Sequence, residues 1–293
     1  MSGARRRVLG TTLALAAVLL VHGSASAADD HAGAGQIGSG QTNAGKSCAV
    51  PSAVAALGAP LSRSAGLVDR GRGVTIVALG SSSTAGTGAS SPAMSYPSRL
   101  ERDLHELFPA LPVKVVNRGQ GGQDVGEELA RLDPEMVAER PDLVIWQVGT
   151  NALLRQADPA REEQLIGRGV ELIKQHGVDV VLMDLQYAPR VLARPAWRDM
   201  EELIARTARR ERVGLFQRFE LMREWARTGQ LGTPALIGRD GLHMTDVSYG
   251  CLADRLAQAL AGQWQSQNKV VQAPHRSPAV LARAPPAVAA SPR

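Results

Sequence analysis

Five short apolar, largely β-branched runs, separated by longer stretches of helical period, restrict what this chain can fold into more than any other feature. The runs are Val74–Leu79, Val113–Val116, Leu143–Val148, Val178–Met183 and a weaker Gly214–Phe216. Continuous apolar runs, as opposed to alternating ones, mark strands covered on both faces, and such strands are joined by helical crossovers into parallel sheets. Periodic stretches near Tyr96–Leu107, Glu127–Ala138, Arg161–His176, Asp199–Arg212 and Val247–Gln263 supply the helices. The pattern predicts an α/β fold, a three-layer α/β/α sandwich with a parallel sheet of about five strands. Ligands of such sheets bind beyond the carboxyl ends of the strands, near the switch in strand order. The turns that follow the strands are therefore where chemistry is expected.

The ends of the chain read differently. Arg5-Arg6-Arg7, an apolar stretch from Val8 to Val21 and the small-residue site Ala25-Ser26-Ala27 have the three-part layout of a secretory signal peptide over residues 1–27. An uncleaved membrane anchor is the alternative, but the apolar stretch is shorter than the ~20 residues needed to span hydrocarbon. The expectation is a secreted or periplasmic protein with no membrane span in its mature form. Residues 28–47, dominated by Gly, Ala, Ser, Gln and Asn, read as a flexible linker, residues 48–264 as the folded domain, and residues 265–293, rich in Pro, Ala and Arg, as a disordered tail or a tether.

Composition narrows the partners. Aromatic residues are 3% of the chain, too few for a stacking platform on single-stranded nucleic acid or for an aromatic-lined sugar groove. The formal charge of +5 gives no sign of a basic domain, since Arg5, Arg6, Arg7, Lys269, Arg276, Arg283 and Arg293 at the ends carry seven positive charges. No nucleic-acid partner is expected. The two cysteines, Cys48 and Cys251, suit a disulfide in an exported chain, closing a loop of about 200 residues, with two unrelated buried thiols as the alternative.

Three of the strands end in turns able to present polar groups. After the first comes Gly80-Ser81-Ser82-Ser83-Thr84-Ala85-Gly86, which exposes hydroxyls and N–H groups. It is compatible with a nucleophilic serine or with a phosphate cradle, although no Lys follows Gly86 and neither G-x-G-x-x-G nor the G-x-S-x-G elbow is present. After the second comes Asn117–Gln123 with three glycines, and after the third Gly149-Thr150-Asn151. Ahead of the last helix, Asp240-Gly241-Leu242-His243 places a carboxylate three residues from an imidazole. Such a carboxylate fixes the ring's tautomer and stabilises the imidazolium formed when a serine is deprotonated. The N–H groups of Ser82 and Gly122 and the side-chain amide of Asn151 form a candidate oxyanion hole. Gly122 also reads as a plain turn residue, and Asn151 as a helix N-cap.

Taken in order, Gly80-x-Ser82-x-Thr84, Asn117–Gly122, Gly149-Thr150-Asn151 and Asp240-x-x-His243 resemble the four blocks of the SGNH (GDSL-like) hydrolase superfamily, over about Val74–Leu260. Ser81 and Ser83 replace the Asp and Leu of the GDSL signature, and Ala152 stands where many members carry Asp. The resemblance implies a flavodoxin-like sheet. It also implies a carboxylic ester hydrolase with Ser82 as nucleophile, His243 and Asp240 as its base, and Ser82, Gly122 and Asn151 as oxyanion donors. No metal or organic cofactor is implied, and the expected partner is an acyl ester, glycan-linked or lipid. The segments Gln186–Pro195 and Gly229–Gly238 are expected to line the site. Competing functions are an acyltransferase using the same serine, a non-catalytic ligand-binding module, and a nucleotide-binding flavodoxin-like domain.

Overall fold

A computed structural model describes residues 48–271. The expected leader (1–27), the linker (28–47) and the tail beyond residue 271 lie outside the described residues. The strands are β1 (Val74–Gly80), β2 (Val113–Gly119), β3 (Leu143–Gln147), β4 (Asp179–Met183) and β5 (Gly214–Phe216). The helices up to the middle of the chain are α1 (Ser52–Ala55), α2 (Ser62–Asp69), α3 (Ser82–Ala85), α4 (Tyr96–Leu107), α5 (Val125–Glu139), α6 (Thr150–Arg155) and α7 (Pro159–Gln175). Beyond them come α8 (Pro189–Leu192), α9 (Trp197–Glu211), α10 (Arg218–Arg227), α11 (Thr233–Leu236) and α12 (Asp246–Val271).

All strand pairs are parallel, in the order β2-β1-β3-β4-β5. Crossovers between parallel strands are right-handed. The step from β1 to β2 runs one way along the sheet and every later step runs the other, so the first crossover helix must lie on the opposite face from its successors. The packing obeys this. On one face α12 packs against α4 and α2; on the other, α5 packs against α7, and α7 against α9. The expected three-layer sandwich with a parallel five-stranded sheet is the fold observed, and the reversal of strand order opens a crevice at the carboxyl ends of β1 and β3.

Burial on both faces explains the unbroken apolar runs. Val144, Ile145, Trp146, Val181, Leu182 and Met183 are wholly inaccessible to solvent, each such side chain contributing ~1.5–3 kcal/mol by its removal from water. Trp146 Nε1–H donates to Glu128 Oε2 at 2.7 Å, and burial pushes the Glu128 carboxyl well above the usual range. Gly169 lets α7 close over this indole, since a Cβ there would lie 2.1 Å from the ring.

The sheet edges show how polarity marks position. β2 carries Lys114, Asn117 and Arg118 on an incompletely buried edge. At the other edge β5 has only three residues, and its Leu215 N–H donates to the Leu57 carbonyl at 2.9 Å, so the segment before α2 caps it. Short, covered edges resist pairing with other chains. The same segment is held by a Cys48–Cys251 disulfide to α12 and by Trp225 Nε1–H, which donates to the Cys48 carbonyl at 3.1 Å.

Among the described helices of eight residues or more, two are not marked by the sequence pattern. In α10 the buried Phe219, Leu221, Met222 and Trp225 form an apolar stripe, but Arg218, Glu220, Arg223, Glu224 and Arg227 interrupt it in the sequence. In α2 only Ser64 and Ala65 are buried, too small to make a hydrophobic stripe. The last helix runs to Val271, so residues 265–271, expected to belong to the tail, are helical; no Pro or Gly lies between Trp264 and Val271 to end it.

Cys48 and Cys251 are 203 residues apart, so replacing Cys251 by Ser is expected to destabilise the protein by up to about 5 kcal/mol through the larger entropy of the unfolded chain. Urea denaturation measures the loss. An unchanged midpoint, or two alkylatable thiols in the native protein, would count against it.

Candidate active site

The first strand delivers its serine turn into very little space. A Cβ on Gly80 would fall 2.4 Å from Thr84 Oγ1, and one on Gly119, at the end of neighbouring β2, would fall 2.1 Å from the Ala85 nitrogen. Only glycine at both positions lets the four-residue helix α3 settle between the strand ends. Buried Ser81 then points inward. Its N–H and Oγ–H donate to Gln147 Oε1 at 3.1 and 3.0 Å, and Thr84 Oγ1–H reaches the same oxygen at 3.4 Å. Ser82, the first residue of α3, is half-buried, and its N–H has no partner among the described residues, as expected at a helix start.

The Ser82 hydroxyl meets His243, with Oγ and Nε2 2.8 Å apart. The ring is set by Asp240 through a turn that uses both carboxylate oxygens. Oδ1 accepts the N–H groups of Leu242 and His243, both at 3.0 Å, and Oδ2 accepts from His243 Nδ1. Asx turns of this kind are why Asp three residues before His closes a compact loop. A carboxylate at Nδ1 places the ring proton there, which leaves Nε2 to accept the Ser82 hydroxyl proton. Partial burial alone would raise the Asp240 pKa, but the Leu242 N–H, the His243 ring and the His243 N–H together hold it down to about 2.

The segments expected to line the site hold the histidine loop by its backbone. Arg190 N–H donates to the Gly241 carbonyl at 3.0 Å, Gly238 N–H to that of His243 at 2.8 Å, and Ile237 forms an isolated antiparallel bridge with Met244. Gln186 Nε2–H reaches the Leu242 carbonyl at 3.5 Å, while its Oε1 accepts from Thr150 Oγ1 and Arg218 Nη2, both at 2.9 Å. Gln186 thus links the turn after β3 to the histidine loop. Arg218 is fully buried, and its Nη2 also donates to the Asp184 carbonyl. Burial and the neighbouring Asp184 together push the Glu201 carboxyl well above the usual carboxylate range.

The glycine turn after β2 is fixed by other elements more than by itself. Gly122 has φ +84° and is exposed, and a Cβ there would meet nothing within 4 Å, so the left-handed backbone, not crowding, requires glycine. Its N–H has no partner among the described residues. Asn151 is the second residue of α6, whose N-cap is Gly149, so the N-cap role does not apply. Asn151 Nδ2 donates to the Gln123 carbonyl at 2.7 Å, which uses one of the amide's two N–H groups. Ala152 is buried and apolar, and the polar ties of this helix come from Thr150, Asn151 and Arg155. Arg131 completes the assembly, donating to the Gly80 carbonyl at 3.2 Å and to Gln123 Oε1 at 2.7 Å.

The structure therefore brings the four polar turns together at the carboxyl ends of β1, β2 and β3. Gln147, Arg131, Arg155 and Arg218 are the participants that sequence reasoning missed, and Gln186 was named only as the start of a segment expected to line the site. Gln147 left one signal, a polar residue closing the apolar run Leu143–Val148. Arg218 left none.

Residues 47–266 match the non-GDSL lipase-like family. The chain is 29% identical over 167 residues to an arylesterase of Vibrio mimicus, covering 57% of this chain and 78% of that protein. Among solved structures it resembles TesA, with a TM-score of 0.56 and 23% identity, covering 64% of this chain and 99% of TesA. It also resembles Axe2, an acetylxylan esterase from Geobacillus stearothermophilus, with a TM-score of 0.55 and 20% identity over 66% of this chain and 96% of Axe2. The resemblance to SGNH hydrolases stated from the sequence is borne out.

Gln147→Leu keeps the volume and leaves the buried Ser81 N–H and hydroxyl without an acceptor, so a loss of about 2–3 kcal/mol in unfolding free energy is expected. Denaturant titration checks it. The depressed Asp240 pKa has its own signature. The carboxylate contributes stability above its unfolded pKa of ~3.9, and that contribution disappears as pH falls through about 2. Between pH 5 and pH 2, Asp240→Asn should therefore lose less stability than the wild type, as read from thermal midpoints.

Proposed function

The chain belongs to the non-GDSL lipase-like family, and we propose that it is an exported serine esterase that hydrolyses O-acyl or O-acetyl carboxylic esters through an acyl-serine intermediate. One observation carries the mechanism: the Asp240–His243–Ser82 relay, with the serine oxygen 2.8 Å from the ring nitrogen that would take its proton.

In the proposed cycle His243 Nε2 takes the hydroxyl proton as Ser82 Oγ attacks the ester carbonyl carbon. The oxyanion so formed is met by the N–H groups of Ser82 and Gly122 and by the Asn151 amide; such donors are typically worth ~2.7–4 kcal/mol each. Collapse breaks the bond to the alcohol, which leaves with the proton from His243. Water then gives a proton to His243 and attacks the acyl-serine. The second collapse returns the proton to Ser82 and frees the acid. Asp240 remains ionised throughout, consistent with its pKa near 2.

The names of the relatives favour small acyl groups on glycans as substrates, since Axe2 is an acetylxylan esterase and another structure with this fold is an esterase active on acetylated mannans. Export is supported by the signal-like residues 1–27 and by the Cys48–Cys251 bond, which suits an oxidising compartment. No helix among the described residues is long and apolar enough to cross a membrane.

Ser82→Ala is expected to abolish hydrolysis of p-nitrophenyl acetate and labelling by a fluorophosphonate while leaving the thermal midpoint within a few degrees. Full activity in that variant would falsify the assignment. Acetate release from acetylated xylan should exceed fatty-acid release from lysophospholipid; the reverse order would reassign the substrate to lipid.

A further inference from the structure

The turn that carries Gly122 poses a physical problem. An oxyanion donor is effective only if it is held in place before the charge develops, yet packing does not hold this one. Gly121 and Gly122 are exposed, and neither would bring a Cβ within 4 Å of anything. The turn's own backbone hydrogen bond, Gln123 N–H to the Gln120 carbonyl, is long at 3.4 Å, and the side-chain bond from Gln123 Nε2–H to Gln120 Oε1 at 3.1 Å leaves the Gly122 peptide groups unheld. Arg131 holds the Gln123 side chain, but what fixes the turn's carbonyls comes from α6. Asn151 and Arg155 are four residues apart and so lie on one face of that helix. Asn151 holds the Gln123 carbonyl at 2.7 Å, and Arg155 Nη2 holds the Gly122 carbonyl at 2.6 Å. Two consecutive peptide planes are thus pinned by one six-residue helix.

The guanidinium is itself located on its far side. Arg155 Nη1 donates to Asp124 Oδ2 and, at 3.1 Å, to Glu127 Oε2. These acids form the capping box of α5: Glu127 N–H donates to Asp124 Oδ1 at 3.2 Å, and Asp124 N–H to Glu127 Oε2 at 2.9 Å. The start of α5 therefore fixes Arg155, and Arg155 fixes the carbonyl of the residue whose N–H is the proposed oxyanion donor. Only the φ and ψ of Gly122 remain between that carbonyl and its N–H.

We propose that Arg155 is a positioning residue for the reaction: gripping the Gly122 carbonyl, it presets the Gly122 N–H as an oxyanion donor, and does so by its forked geometry as distinct from its charge alone. This rests on the esterase function proposed above. The expected consequence is a loss in kcat, because the transition state alone carries the full oxyanion, with little change in KM. A misplacement of about 1 Å can cost ~100-fold, so a loss of about ten- to a hundredfold is expected for Arg155→Ala.

The test compares wild type, Arg155→Ala and Arg155→Lys by steady-state kinetics on p-nitrophenyl acetate, thermal midpoint, and amide hydrogen exchange of residues 119–124. Lysine keeps the charge and loses the planar fork. Both variants should lose kcat at least tenfold with KM within about twofold, keep the wild-type midpoint within a few degrees, and exchange the amides of residues 119–124 faster. A kcat within twofold of wild type in Arg155→Ala would overturn the proposal, as would full recovery in Arg155→Lys or unchanged exchange in that segment. The exchange measurement needs no turnover. A wild-type protein with no Ser82-dependent ester hydrolysis would therefore refute the esterase function, while the exchange result would still decide whether Arg155 holds the turn.

Discussion

Handedness governs this molecule. Because right-twisted strands accept only right-handed crossovers, a chain that first steps from β1 to β2 and then reverses must move its helices to the other side of the sheet. The reversal leaves the ends of β1 and β3 without a connection passing over them. The polar turns gather at that opening: the serine turn from β1, the glycine turn from β2, and Asn151 from the turn after β3, with the histidine loop added from near the end of the described residues.

Opening a crevice does not organise it, and the organisation here is done by polar side chains sealed beneath the surface. Gln147 collects the Ser81 donors, and Gln186 links Thr150 to Leu242 while being held in turn by buried Arg218. Each of these groups would be costly to bury alone, and that cost is what makes the arrangement unique: a displaced turn would strand a donor or an acceptor away from water. Asp240 applies the same economy at the surface, where one carboxylate shapes the loop with one oxygen and orients the imidazole with the other.

How far the sequence discloses this depends on whether a residue's role leaves a pattern. Burial on two faces does, and the apolar runs over Val74–Leu79 and Leu143–Val148 placed β1 and β3 to within a residue or two. Short-range geometry does as well, since Asp240 and His243 lie within one turn of chain. Roles that depend on distant partners leave none. Arg218 has the composition of a surface arginine and sits in the core, because its partners Asp184 and Gln186 come from the end of β4. Helix α10 was hidden by its charges, and Asn151 read equally as a cap until Gly149 was seen to occupy that place.

The strap from Cys48 to Leu57 has a consequence for the order of events during synthesis. It covers the β5 edge, but it is fastened to Cys251 in the final helix, so the cross-link cannot close until every strand of the sheet has been made. Until then the newest strand presents an unguarded edge, the kind of surface on which chains join one another. The first residues of the domain thus receive their covalent fastening only after all its strands exist, and until then the cover over the β5 edge rests on hydrogen bonds and packing alone.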